Sequence, residues 1–289
     1  MEKKLKKLSK KVNYFLNNYL SKLNSSELIT PMKYGLFPGG KKIRSKIIFD
    51  VGKIFNVKSK DLLILAASVE AIHAYSLIHD DLPCMDDDKL RRGKPSAHVK
   101  FGESTAILAG NSLLTTAFEI LSDKNFKVEN KIKTRLINSL SRCSGQLGIA
   151  GGQYLDLSYE KKKVSLQKIL NMELKKTGKL FEFCCLGPLL IKKNKKNLNS
   201  FSKIGKDIGL LFQIIDDLID FKGETKLAGK KTKKDKKKGK ATIISLLGHD
   251  NAVKYANKLK LNIYNKLKSH NKKADDLRET INFIMERNK

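Results

Sequence analysis

The chain has 289 residues, 40% of them hydrophobic, enough for one large all-helical domain or two ordinary ones with a real core. Its 59 Lys and Arg against 29 Asp and Glu give a net charge of +30, which invites a nucleic-acid reading. The excess is spread along the whole chain, however, and no zinc-finger spacing or aromatic–basic module accompanies it. A solvated lysine-rich surface is therefore expected, with only weak nonspecific attraction to polyanions, and nucleic-acid binding is set aside.

Residues 1–23 carry Leu5, Leu8, Val12, Phe15 and Tyr19 at three- and four-residue steps. That spacing predicts an amphipathic helix with a lysine-rich outer face, a first packing helix rather than a membrane-surface or targeting segment. Next, Pro38, Gly39 and Gly40 make a turn, and a helix is predicted from about Lys41 to Phe55. Glycines ahead of a helix free backbone N–H groups, and Lys41 and Arg44 would project from its first turn, so this end suits an anion. It lacks the spacing and the Ser/Thr of a Walker loop.

An apolar run from Leu62 to Leu82, broken mainly by Glu70, His73, Tyr75, Ser76 and His79, predicts a buried helix. It delivers a knot of charge from Asp80 to Arg92, with five carboxylates and two guanidiniums. His73 lies two turns before Asp80, on the same helix face. On an ideal helix Asp87 falls nearer to Asp80's face than Asp86 does, and Pro83 is expected to distort the helix there. Residues 103–121 and 131–150 again read as helices, linked by polar residues 122–130. Gly145 to Gln153 is glycine-rich within a helical pattern, which implies close packing or a kink. Gln153 and Asp156 share a face and are placed to orient basic side chains, and Lys175 to Gly178 interrupts a further helix.

A second acidic cluster, Asp216, Asp217 and Asp220, sits in the apolar run from Ile208 to Phe221, with Gln213 one turn earlier. Asp216 and Asp220 are i and i+4, and two like charges stacked on an apolar helix argue against a surface salt-bridge role. Residues 222–240 hold almost no apolar side chain and predict a flexible basic loop. Residues 251–288 read as two further helices. With no internal repeat and no β signature, the fold expected is all-α, a single-domain helical bundle over 1–289. Cys84, Cys143, Cys184 and Cys185 have neither zinc nor disulfide spacing, which fits a reducing, cytoplasmic compartment. No signal-peptide h-region opens the chain, and no apolar run reads as a membrane span, so stable membrane insertion is not expected.

Acidic clusters of this density repel themselves unless a cation sits among them. Mg²⁺, held by a few carboxylates plus substrate phosphates, is the usual answer, and the bland alternative is a solvated acidic turn. Two such clusters on two apolar helices suggest one metal site built between facing helices.

Asp80-Asp81 with Asp86, followed by Arg91-Arg92-Gly93, and later Asp216-Asp217 with Asp220, resemble the paired aspartate-rich motifs of the all-trans polyprenyl diphosphate synthases. The likeness is closest to the bacterial farnesyl diphosphate synthases and runs from about Tyr34 to the end of the chain. Its longest block is Ile72 to Pro83, then Arg91 to Gly93 and His98 to Gly102. The resemblance implies an isoprenoid-synthase bundle around a central cavity, head-to-tail prenyl transfer, a homodimer, and about three Mg²⁺ ions per active site. It implies Asp80, Asp86 and Asp216 as metal ligands, with Asp81, Asp87, Asp217 and Asp220 as second choices. Lys41, Arg44, His73 and Arg92 would hold isopentenyl diphosphate. Arg91, Lys176, Thr177, Gln213, Lys230 and Lys240 would face the allylic diphosphate, and of these Lys176, Thr177 and Gln213 would be catalytic, with Thr177 near the developing carbocation.

Three places depart from the family pattern: Ser45 stands where proline is usual, and Lys234 and Ile244 replace a glycine and a proline around the basic loop. Tyr75 and Ser76, just before Asp80, would wall the prenyl-tail pocket and stop growth at C15, with a C20 geranylgeranyl product as the alternative. A terpene cyclase would not need Gly39-Gly40-Lys41 and Arg44, and a noncatalytic partner subunit would be expected to lose aspartates, of which none is lost.

Overall fold

The computed structural model describes residues 1–23, 26–37, 39–227 and 242–287, and its regular structure is almost wholly helical. The chain divides into two compact units, Met1–Asn138 with Leu190–Lys192, and Ser139–Leu189 with Lys193–Lys289.

In the first unit, α1 (Glu2–Leu20) buries Leu5, Leu8, Val12, Leu16 and Leu20. Phe15 and Tyr19 flank that stripe, stacked with ring centroids 6.3 Å apart, rather than forming its floor as the spacing predicted. Two short helices follow, α2 (Ile29–Leu36) and α3 (Ile43–Ile54). The centre is α4 (Ser59–Asp80), apolar nearly all round, as a helix enclosed by others must be. By length and composition alone α4 could cross a membrane, which the sequence reading had not allowed for any segment. Two thirds of that window, 67%, is buried inside the protein, so its hydrophobicity is spent on the core. α6 (Glu103–Ser122) runs along α4, and α1, α2 and α3 cover its other sides. A two-stranded antiparallel ribbon, β1 (Leu90–Arg91) and β2 (Lys94–Pro95), leads into the short helix α5 (Ala97–Phe101). No strand was predicted. The ribbon closes because Arg92 (φ 54°) and Gly93 (φ 75°) both adopt the left-handed conformation that a two-residue hairpin turn demands.

α7 (Asn130–Ser144) carries the chain into the second unit, where Gly145–Gly148 breaks it from α8 (Ile149–Tyr159). α9 (Leu166–Glu173) then runs into one π-helical turn, Leu174–Gly178, and on into α10 (Lys179–Ile191). The centre of this unit is α11 (Leu198–Leu227), which buries Phe201, Ile204, Ile208, Leu211 and Ile214. Against it pack the π turn, α9, α12 (Ile243–Leu247), α13 (His249–Leu267) and α14 (Asp275–Glu286). Residues 222–227, expected to open a basic loop, instead continue α11 to Leu227, and residues 228–240 of that expected loop lie outside the described residues.

The π turn is gripped from two sides by glycines. A Cβ on Gly152 of α8 would lie 2.2 Å from the Lys176 backbone nitrogen, and one on Gly209 of α11 would lie 2.5 Å from the Gly178 Cα. Both obstacles are backbone and cannot swing aside. Gly209→Ala is therefore expected to destabilise the protein by about 1–3 kcal/mol, the usual cost of overpacking, and to lower the thermal midpoint. An unchanged midpoint would contradict this close approach.

Candidate active site

α4 ends at Asp80, just ahead of Pro83, whose ring disfavours helix in the residue before it. The chain then folds back so that the Asp86 N–H donates to the Asp80 carbonyl at 2.9 Å. This return places Asp86 beside Asp80 and removes the helical geometry that had favoured Asp87. Asp87 instead has φ 51° and is exposed, paired with Lys89 at 2.7 Å. Asp81 is buried and faces another way. The guanidinium of Arg91 grips its carboxylate, with Nε 2.9 Å from Oδ1, and Arg91 also reaches Asp88 at 3.5 Å. Arg91, Arg92 and Asp81 share the wall of a cavity with Tyr34 of α2 and Ile78 of α4.

The cationic pocket assembles in the same unit. Lys41 precedes α3 rather than projecting from its first turn, because Lys42, in the left-handed conformation (φ 50°, ψ 43°), is the cap and the helix begins at Ile43. Arg44 Nη1 lies 3.2 Å from His73 Nε2, and the Arg92 guanidinium lies against Gly40, where a Cβ would come within 2.9 Å of Nη1. Glu70 is the carboxylate among these cations, 3.2 Å from Lys42 Nζ and 2.6 Å from Ser45 Oγ. Neither Lys42 nor Glu70 was picked out from the sequence as a site residue. The available signal was Glu70 standing alone in an apolar run, one helical turn before His73. Burial, reinforced by Arg44, Arg92 and Lys42, drives the His73 pKa well below the ordinary histidine value, so the ring is neutral and Nε2 accepts from Arg44.

In the second unit, α11 and the π turn present the other group. Thr177 Oγ1 donates to Gln213 Oε1 at 3.2 Å, and Gln213 Nε2 donates to Asp217 Oδ1 at 3.0 Å. Lys176 Nζ lies 2.6 Å from Asp156, the orienting partner expected of that carboxylate. Gln153 is buried, but neither of its amide atoms contacts a basic group. π turns widen a helix locally and recur at functional sites. Here the turn sets Lys176 and Thr177 toward Asp156 and Gln213. Asp216 does form a salt bridge, against expectation: Arg287, just past α14, holds it at 2.8 Å while stacking 3.7 Å over the Phe212 ring. No pattern in the sequence signalled that contact. Lys230, Lys234 and Lys240 lie outside the described residues. Ile244 is buried in α12, and Tyr75 and Ser76 are buried in α4, with the Tyr75 ring edge-on to His79 at 5.3 Å.

Among the described residues no three His, Cys, Asp or Glu side chains converge as a ready metal cage. Mg²⁺ does not require one, since it keeps waters and takes one or two carboxylates with substrate phosphates. The carboxylates here fit that demand. Asp217 Oδ2 is buried without a hydrogen-bond partner, and its pKa is pushed up to about 6 by burial, with Asp220 and Asp216 adding to the rise. An acidic group so poorly compensated is a ready place for a cation.

The neutral state of His73 has a measurable consequence. The unfolded chain takes up a proton there near pH 6.5 and the folded protein refuses it, so stability falls as pH drops through about 6.5. Between about pH 7.5 and 5.5 the native protein should lose more thermal stability than His73→Gln, which has no such proton to refuse. Equal losses in the two would contradict the assignment.

A profile of the polyprenyl synthetase family matches residues 25–283. The chain is 40% identical to the farnesyl diphosphate synthase of Escherichia coli over 288 residues, 97% of this chain and 96% of that one. It is 36% identical to the geranylgeranyl diphosphate synthase of Cyanophora paradoxa, covering 94% of this chain and 92% of that one. An apo crystal structure of an FPP/GFPP synthase from Zymomonas mobilis superposes with a TM-score of 0.86 at 35% identity, covering 98% and 99% of the two chains. With the matched profile spanning most of its length and its helices following a solved relative throughout, the chain belongs to the polyprenyl synthetase family.

Proposed function

We propose that the protein is a prenyltransferase that joins isopentenyl diphosphate to dimethylallyl and then geranyl diphosphate, giving farnesyl diphosphate. The observation that carries this reading is the segregation of charge at the end of α4. Cations gather around Arg44, His73 and Arg92, and a turn brings the backbone of Asp86 back to that of Asp80. One diphosphate can thus be held by cations directly and another through metal.

In the reaction the allylic C–O bond breaks and pyrophosphate leaves. The alkene electron pair of isopentenyl diphosphate forms the new C–C bond. A proton is then lost from C2, and pyrophosphate can take it. Mg²⁺, when held by Asp80 and Asp86 in the first unit or by Asp216 and Asp217 in the second, would supply Lewis-acid neutralisation of the leaving group. The chain's own residues do the rest. Lys41, Arg44 and Arg92 hold the isopentenyl diphosphate, and neutral His73 orients Arg44. Asp156 fixes Lys176 and Asp81 fixes Arg91, so that each cation is set in place before charge develops on the pyrophosphate. The oxygens of Thr177 and Gln213, already hydrogen-bonded to each other, offer partial negative charge to the allylic cation. No side chain needs to be a strong base.

Tyr75, large and buried one turn before His79, is suited to floor the tail pocket. That favours a C15 product over the C20 alternative. Both units of the chain are taken to act as one catalytic domain in a cytoplasmic homodimer. Ile107 and Leu108, exposed on α6, are apolar enough to contribute to such a contact.

Incubation with labelled isopentenyl diphosphate, dimethylallyl diphosphate and Mg²⁺, followed by chromatography of the dephosphorylated products, should yield farnesol. Chelation of the metal should abolish the product. Asp80→Ala and Asp216→Ala should each lower kcat by about two orders of magnitude or more, through loss of charge stabilisation on the leaving group. Near-normal turnover in either folded variant would remove the metal assignment, and a predominant C20 alcohol would replace the C15 reading.

A further inference from the structure

We infer that Glu70 is a positioning residue for isopentenyl diphosphate, fixing the segment that carries Lys41 and Arg44 through its contacts with Lys42 and Ser45. The inference rests on the proposal that this cationic pocket takes that substrate. Each oxygen of Glu70 is used once. Oε1 accepts from Ser45 Oγ at 2.6 Å, and Oε2 lies 3.2 Å from Lys42 Nζ. Ser45 is fully buried, Glu70 is 3% exposed, and the Lys42 side chain is 8% exposed, so neither contact is a surface accident.

The two pinned positions, 42 and 45, each follow directly on a proposed diphosphate ligand, 41 and 44. Pinning them sets the direction in which both ligands leave the backbone. Lys42 also holds a left-handed conformation, which is unfavourable for a side-chain-bearing residue and needs a restraint to persist. Its ammonium supplies one, reaching Glu70 and, at a longer 3.4 Å, the Leu36 carbonyl. At its other end Glu70 is fixed by α4, the helix that also carries His73 one turn later. The carboxylate therefore ties the start of α3 to the helix bearing the third member of the pocket. Burial raises the Glu70 pKa, but Lys42, the Ser45 hydroxyl and Arg44 outweigh it and hold the group ionised.

Charge alone predicts the opposite behaviour, which makes the idea testable. A buried carboxylate beside an anion site repels the anion, so a neutral replacement should tighten binding if Glu70 were only a counter-charge. If Glu70 positions the pocket, Glu70→Gln should instead raise the KM for isopentenyl diphosphate about tenfold, while kcat falls less than about threefold and the allylic KM stays unchanged. Lys42→Met should raise the same KM, and the double variant should be no worse than the poorer single variant, because the two residues act as one device. Ser45→Ala keeps the charge and removes one pin. It should raise the isopentenyl diphosphate KM about threefold, and it carries the test if Glu70→Gln does not fold.

Calorimetric binding of isopentenyl diphosphate to each variant gives the comparison without turnover. An unchanged or tighter affinity in folded Glu70→Gln, or in Ser45→Ala where that variant stands in, would overturn the inference. So would fully additive losses in the double variant. A wild-type protein that binds isopentenyl diphosphate but forms no prenyl product would contradict the proposed activity instead, and would leave the positioning role to be decided by those same binding measurements.

Discussion

The organisation of this protein depends on opposite charges tethered in pairs. Arg91 is set by Asp81, Lys42 by Glu70, Lys176 by Asp156, and Asp216 is held by Arg287. Each pair joins a residue suited to bind a diphosphate or its metal, or one next to it, to a partner fixed in a helix or its cap. The Lys42–Glu70 pair is buried on both sides, so losing one of its members costs about 3–5 kcal/mol, because the other is left charged without compensation; the partly exposed pairs cost less. These tethers therefore act as geometry. They let a chain of net charge +30 keep selected cations and carboxylates in fixed directions while most other described lysines stay at the surface.

The tethers also separate two ways of holding a diphosphate. Around Arg44, His73 and Arg92 the proposed anion would meet cations directly, and the neutral imidazole accepts from Arg44 instead of adding a proton of its own. At the turn that brings Asp86 back to Asp80, and around Asp216, Asp217 and Asp220, the carboxylates are proposed to take a divalent ion before any phosphate can approach. A leaving pyrophosphate needs the second arrangement, since its charge grows during the reaction. A substrate that keeps its diphosphate needs only the first. The helices serve this division locally. α4 ends where the carboxylates must fan out, and the π turn sets Lys176 and Thr177 between two glycine contacts.

Much of this was legible in the sequence because helical periodicity survives in the buried stripes of α1, α4 and α11. The two aspartate clusters were legible because like charges rarely gather in apolar runs without a purpose. The misreadings have physical causes. Asp86 reaches Asp80 by a backbone hydrogen bond across a turn, so ideal helical angles gave the wrong neighbour. Ile43 rather than Lys41 starts α3, because the left-handed Lys42 intervenes where uninterrupted helix was assumed. The ribbon at Leu90–Pro95 is too short to show alternation. Residues 222–227 stay helical although their composition reads as loop, since they continue the thirty-residue helix α11. Glu70 with Ser45, and Arg287 with Asp216, meet only through tertiary folding, and no local spacing encodes such contacts.

The central claim is that the protein holds one diphosphate by cations and the other through metal. Calorimetric titration of isopentenyl diphosphate and of a non-reactive allylic diphosphate analogue, each with Mg²⁺ and with chelator, tests it most directly. The account predicts that isopentenyl diphosphate binds with the same affinity in both conditions, within about twofold, while the allylic analogue loses at least about a hundredfold when the metal is removed. Equal metal dependence for the two ligands would contradict it.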